Sequence, residues 1–195
     1  MKKFFIFIFA MFGLMVGFVA IVLSGYYRDY EKFHNRSSFP EPKENLLVPV
    51  STRAYAKAKS WSEKSPLSKQ QIKIYLTKYG MYSEYISQSA VNKLNIDWKE
   101  QAVLAAKSLQ RYRYSKEKLV WQLINVELFT QEEADYAVEH VNFDWKEDAV
   151  KEAESYANGR KITKEKILEI LVEKRKFTQE EAEYAIEHAK IDWSN

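Results

Sequence analysis

Small apolar residues recur along this chain at a spacing only a helix satisfies. Trp98, Ala102, Ala106 and Leu109 fall at i, i+4, i+8 and i+11, and so do Trp145, Ala149, Ala153 and Tyr156; Ala54, Ala58 and Trp61 continue the same register further upstream. One face of each helix is therefore buried, with alanines at its centre that let a neighbour approach closely. Asp97 and Asp144 stand before these stripes with a glutamate three positions on, which predicts capping boxes Asp97/Glu100 and Asp144/Glu147. A second set of helices is predicted to start at Ser68, Ser115 and Thr163. Each of these caps lies between two apolar residues spaced as a hydrophobic staple: Leu67 and Ile72, Tyr114 and Leu119, Ile162 and Ile167. Leu76, Leu123 and Leu171 continue that buried face. A third set starts at Ser83, Thr130 and Thr178, with Glu133 and Glu181 as reciprocal caps. It is expected to bury Ala134, Ala137, Val138 and Val141, and their counterparts Ala182, Ala185, Ile186 and Ala189.

The three sets are copies of one unit. The stretch from Phe129 to Trp145 returns almost letter for letter from Phe177 to Trp193, and its apolar positions return again between Tyr82 and Trp98. The prediction is an all-α chain of three tandem three-helix, helix-turn-helix-like repeats over residues 50–97, 98–144 and 145–193. An Asp-Trp pair closes each copy. Trp98 and Trp145 are expected to act as wedges where one repeat meets the next, with Asp97 and Asp144 as the adjoining caps, and Trp193 as a truncated junction or terminal cap.

Residues 4–23 break the pattern: they are apolar without a charge and follow Lys2 and Lys3. Such a run, at 1.5 Å per residue, matches a hydrocarbon core about 30 Å thick. Residues 1–25 are therefore expected to form an uncleaved signal anchor that spans the membrane, with the N-terminus inside and the repeats on the extracellular face. A cleaved signal peptide is the competing reading. Residues 26–49, with Pro40, Pro42 and Pro49, read as an extended linker. Stretched out, it keeps the repeats within roughly 90 Å of the bilayer.

The net charge of +3 is unevenly spread: residues 50–97 carry +5, whereas 98–144 and 145–193 carry −2 each. The predicted third helices of the last two repeats are acidic, which disfavours a nucleic-acid partner and a membrane-tethered DNA-binding regulator. The chain contains no cysteine, so disulfides, thiol chemistry and a lipidated cysteine do not enter. Neither a nucleophile–base pair nor a glycine-rich phosphate loop is present, and we expect neither an enzyme nor a cofactor. Glu139-His140 and Glu187-His188 read as solvated helix ends rather than as metal ligands.

With a Ser/Thr-led second helix, a Phe-Thr-x-Glu-Glu-Ala-x-Tyr-Ala third helix and a closing Asp-Trp, residues 50–193 resemble the Ltp-like repeat of host cell-surface lipoproteins. These occur in Gram-positive bacteria and their temperate phages. The resemblance implies a helical array displayed on the cell surface and, for prophage-encoded members, superinfection exclusion. Family members are typically held by a lipid on cysteine; in this chain residues 4–23 are expected to take that role. The expected function is to bind a phage tail component, such as the tape measure, and so block DNA injection. The alternative is a surface interaction module for another envelope protein. Contact residues are sought where the copies differ: Trp121 stands where the other copies have Ile74 and Glu169, and Tyr136 and Tyr184 where the first has Ser89. Tyr112 and Arg113, beside the Ser115 cap, complete the candidates. The oligomeric state is left open by the sequence.

Overall fold

The computed structural model describes residues 48–193, which fold into helices without a strand. In chain order these are α1 (Val50–Lys64), α2 (Lys69–Lys78), α3 (Glu84–Asn92), α4 (Trp98–Ser108), a 3-10 turn (Gln110–Tyr112), α5 (Lys116–Asn125), α6 (Gln131–His140), α7 (Trp145–Ala157), α8 (Lys164–Glu169) running into a π turn (Ile170–Lys174), and α9 (Gln179–His188). No helix among the described residues is long and apolar enough to cross a membrane. The span expected over residues 4–23, and all but the last two residues of the linker expected over 26–49, lie outside the described residues.

Helices this short are marginal in isolation, and their ends carry the predicted caps. Ser68/Gln71, Thr130/Glu133 and Thr178/Glu181 form complete capping boxes. Ser83, Ser115 and Thr163 each accept one backbone N–H. At α4 and α7 the reciprocal half of the expected box is missing. Asp97 accepts from Lys99 and Glu100, and Asp144 accepts from Glu147. Glu100 instead receives the Tyr136 hydroxyl at 3.0 Å, and Glu147 pairs with Lys151 at 3.5 Å. Carboxylates drawn to those groups are not available to reach back to the cap.

The packing forms three hydrophobic cores, each built from three consecutive helices. The first centres on Ala54, Ala58, Ile72 and Leu76, the second on Ala102, Ala106, Leu119 and Leu123, the third on Ala149, Ala153, Ile167 and Leu171, all at most 1% exposed. A leucine buried to that degree contributes about 2–5 kcal/mol relative to alanine. Every second helix ends in the same wide turn. The amides of Gly80, Glu127 and Arg175 reach back to Tyr75, Gln122 and Ile170, and those of Tyr82, Phe129 and Phe177 to Leu76, Leu123 and Leu171. Closing that turn forces Met81, Leu128 and Lys176 to positive φ, at 56°, 57° and 63°, a left-handed conformation that costs a side-chain-bearing residue about 1–2 kcal/mol.

Polar contacts also join the cores. The Gln71 amide donates to Glu127 at 2.9 Å, joining the first and second helix triplets. The second and third are joined more heavily. Ser115 donates to the Arg175 carbonyl at 2.8 Å, Arg175 reaches the Tyr112 carbonyl at 3.3 Å, and the Glu152 carboxylate lies 2.9 Å from Arg175 Nε and 3.5 Å from Arg113 Nε.

Candidate partner-contact surface

Two equivalent clusters of charged and aromatic side chains join the first helix of a triplet to its third. In α6, residues 132, 136 and 140 share one face because they are four apart. There Lys99, from the first turn of α4, meets Glu132 at 2.7 Å and lies 5.5 Å from the centre of the Tyr136 ring, while His140 stacks on that ring at 3.8 Å. The arrangement recurs on α9: Lys146 meets Glu180 at 2.7 Å and lies 5.4 Å from the Tyr184 ring centre, against which His188 stacks at 3.8 Å.

The electrostatics follow from these contacts. The Glu132 and Glu180 carboxyls are held below the usual carboxylate range by their hydrogen-bonded lysines, and Lys99 and Lys146 are raised in turn. Tyr136 is raised by its hydrogen bond to Glu100 and then by burial. Nδ1 of His140 and of His188 lies 2.8 and 2.9 Å from the carbonyl oxygen four residues back. A carbonyl can only accept, so in each contact Nδ1 is the donor. In chemical terms each cluster offers a flat aromatic stack, one cation and one anion, all prearranged.

The other sequence candidates are placed as follows. Trp121, on α5, is 54% exposed, with the Lys118 ammonium 6.0 Å from its ring centre. Tyr112 is 43% exposed, stacks on Tyr114 at 5.5 Å and receives a hydrogen bond from Arg111 at 2.8 Å. Arg113 faces Glu152 across the junction between the second and third triplets. Tyr136 and Tyr184 sit half-buried in the two clusters.

The three tryptophans of the Asp-Trp pairs each pack backwards. Trp98 lies on the first core, Trp145 on the second and Trp193 on the third. Trp145 meets Phe143 edge-on at 5.4 Å, and the Lys164 ammonium lies 5.6 Å from the Trp193 ring centre. Asp97 and Asp144 are exposed caps beside them.

Sequence reasoning passed over two groups. Tyr79, Met81 and Tyr85, in the turn between α2 and α3 and the first turn of α3, are 67%, 86% and 83% exposed. Tyr85 stands where the other copies have Glu132 and Glu180, the same aromatic-for-glutamate difference that marks Trp121. Glu152, buried on α7, stands where the second repeat has Ala105. A carboxylate where the sister repeat buries an alanine is the sign that another charge meets it. Two shallow grooves lie among the described residues, one along α3 past Tyr85, Gln88 and Asn92, another between α5 and the Lys176–Thr178 turn.

Three-helix units in tandem, with open aromatic and charged faces, define a helical repeat array. The family described as host cell surface-exposed lipoprotein matches the chain twice, over residues 97–141 and 144–189. Among solved structures, Ltp, a superinfection exclusion protein from the Streptococcus thermophilus temperate phage TP-J34, is 35% identical, with 47% of this chain and 95% of that one covered and a TM-score of 0.45. No curated protein matches. By the paired matches and that identity over nearly the whole of a solved member, the chain belongs to the family of host cell surface-exposed lipoproteins.

Proposed function

We propose that this protein acts in superinfection exclusion: anchored in the membrane through residues 4–23, with its repeats outside, it binds a component of an incoming phage tail and blocks DNA injection. The observation that carries this reading is the 35% identity to a superinfection exclusion protein over 95% of that protein's length. The two Lys–Glu–Tyr–His clusters are solvent-facing and repeated, which suits recognition of a long, internally repetitive partner. A helical tail protein such as the tape measure fits that description. Its helices could lay apolar and basic side chains against the tyrosine stacks and the outward carboxylates. Preorganised side chains lose little conformational freedom on binding, so even a modest contact area gives useful affinity.

Cells producing the protein are challenged with phage, and adsorption and entry of labelled DNA are recorded separately. Normal adsorption with blocked entry is expected. Normal entry across a broad phage panel refutes the reading, and reduced adsorption assigns the protein to receptor masking instead. A reporter fused after Asn195 tests the topology, since activity of a cytoplasm-only reporter would place the repeats inside.

A further inference from the structure

The first triplet, α1–α3, differs from the other two in surface rather than in core. Between Val50 and Asp97 there are eight lysine and arginine residues against three carboxylates, whereas both later triplets are net acidic. Its turn between α2 and α3 carries Tyr79, Met81 and Tyr85, each at least two-thirds exposed. The turn is held firmly: Tyr79 lies edge-on to Tyr75 at 5.7 Å, and Lys73 ties α2 to the start of α3 through Glu84 at 2.9 Å. Lys78 beside it, and Lys69 and Lys93 at the far ends of α2 and α3, are exposed. Both segments matched by the family lie outside residues 50–96, so the aromatic turn belongs to the part of the chain nearest the proposed anchor.

We propose that α1–α3 is a membrane-docking module, seating the Tyr79–Met81–Tyr85 turn among the headgroups of an anionic lipid leaflet. The inference rests on the anchored reading above. Charge complementarity selects the occupant: lysines are attracted to an anionic leaflet and repelled by a cationic partner. Tyrosine has an apolar ring with a polar tip and settles at the headgroup level, while methionine is a flexible apolar side chain that can dip below it. Such a patch would bind weakly from free solution. Tethered by a linker of about two dozen residues, it meets the same bilayer at a high effective concentration, and docking becomes intramolecular. The two later triplets, each with a net charge of −2, are repelled from that surface.

The absence of cysteine makes the test direct. The full chain carrying Met81→Cys with an environment-sensitive fluorophore is reconstituted into phosphatidylcholine vesicles with or without phosphatidylglycerol. The control is Lys176→Cys, at the same turn position of the third repeat. The expected result is a blue shift of the probe at 81 with phosphatidylglycerol only, lost near 1 M salt, where the screening length is about 3 Å. The probe at 176 should not shift. The triple variant Lys69→Glu, Lys78→Glu, Lys93→Glu should lose the shift at 81 while keeping its helical circular dichroism. Identical emission in the two lipids overturns the proposal, as does an equal shift produced by soluble poly(glycerol phosphate) with neutral vesicles, which would assign the surface to an anionic polymer. Failure of the chain to float with neutral vesicles counts against the anchor alone: a shift at 81 that persists with anionic vesicles still upholds docking.

Discussion

Replacing Glu152 by glutamine tests how the second and third triplets are joined. The side chain keeps its shape and loses its charge, leaving Arg113 and Arg175 facing a neutral amide. The carboxylate is 10% exposed and lies 2.9 and 3.5 Å from the two guanidinium Nε atoms. At an effective dielectric of about 20, a unit pair some 4 Å apart attracts by about 4 kcal/mol. Part of that is offset by desolvation of the carboxylate. The arginines retain 36% and 24% of their exposure, so they regain some hydration when the partner is neutralised. Breaking a fully buried pair costs about 3–5 kcal/mol; here we expect about 2–3 kcal/mol. Urea unfolding of the full chain in detergent, followed by circular dichroism, measures the loss. A double-mutant cycle of Arg175→Ala with Glu152→Ala should give a coupling of about 1–2 kcal/mol. A Glu152→Gln midpoint unchanged within error, together with zero coupling, would refute the view that this carboxylate clamps the junction.

Trp145→Ala should cost about 2–3 kcal/mol, less than the roughly 3–5 kcal/mol for a fully buried indole, because the side chain is half-exposed. Since Trp145 packs on the second core, hydrogen exchange should accelerate in residues 98–143 more than in 146–189; the reverse pattern would contradict the packing. Asp148 has its carboxyl raised by burial, with Lys151 and Arg113 opposing. A raised folded-state value means that the charged form penalises the native state above it and that the penalty is relieved as pH falls through it. Asp148→Asn should therefore raise the melting temperature at pH 7 and give no gain in acid. A gain that persisted below the carboxylate range would rule this account out. Trp121→Ala should change stability by less than about 0.5 kcal/mol, as for exposed positions generally, while weakening phage protection; undiminished protection would remove Trp121 from the contact surface.

The helical register was legible because alanine, leucine and cap residues obey local rules. Ala102, Ala106 and Leu123 are as buried as their spacing predicts, and the Thr130/Glu133 and Thr178/Glu181 boxes close as written. Long-range partners were not legible. Glu100 looks like a capping-box residue in sequence, but the Tyr136 hydroxyl, 36 residues away, holds it. The tyrosine–histidine stacks follow from i, i+4 spacing once both rings are recognised as surface groups; the lysine above them comes from another helix. The π turn at Ile170–Lys174 leaves no compositional mark, because Ile-Leu-Val-Glu-Lys suits an ordinary helix equally well. Aromatic-for-glutamate differences between copies marked Trp121 and equally marked Tyr85.

The backward packing of the tryptophans sets where the chain can be cut and rejoined. Trp98 and Trp145, which complete the first and second cores, are each the first residue of the next helix, so the portable module ends one residue after the cap. Excising or duplicating residues 99–145 should carry a sealed core with its own lid, whereas the register 98–144 brings in the preceding module's lid and leaves its own behind. An array built this way can lengthen by whole modules, provided that every new copy is followed by a tryptophan.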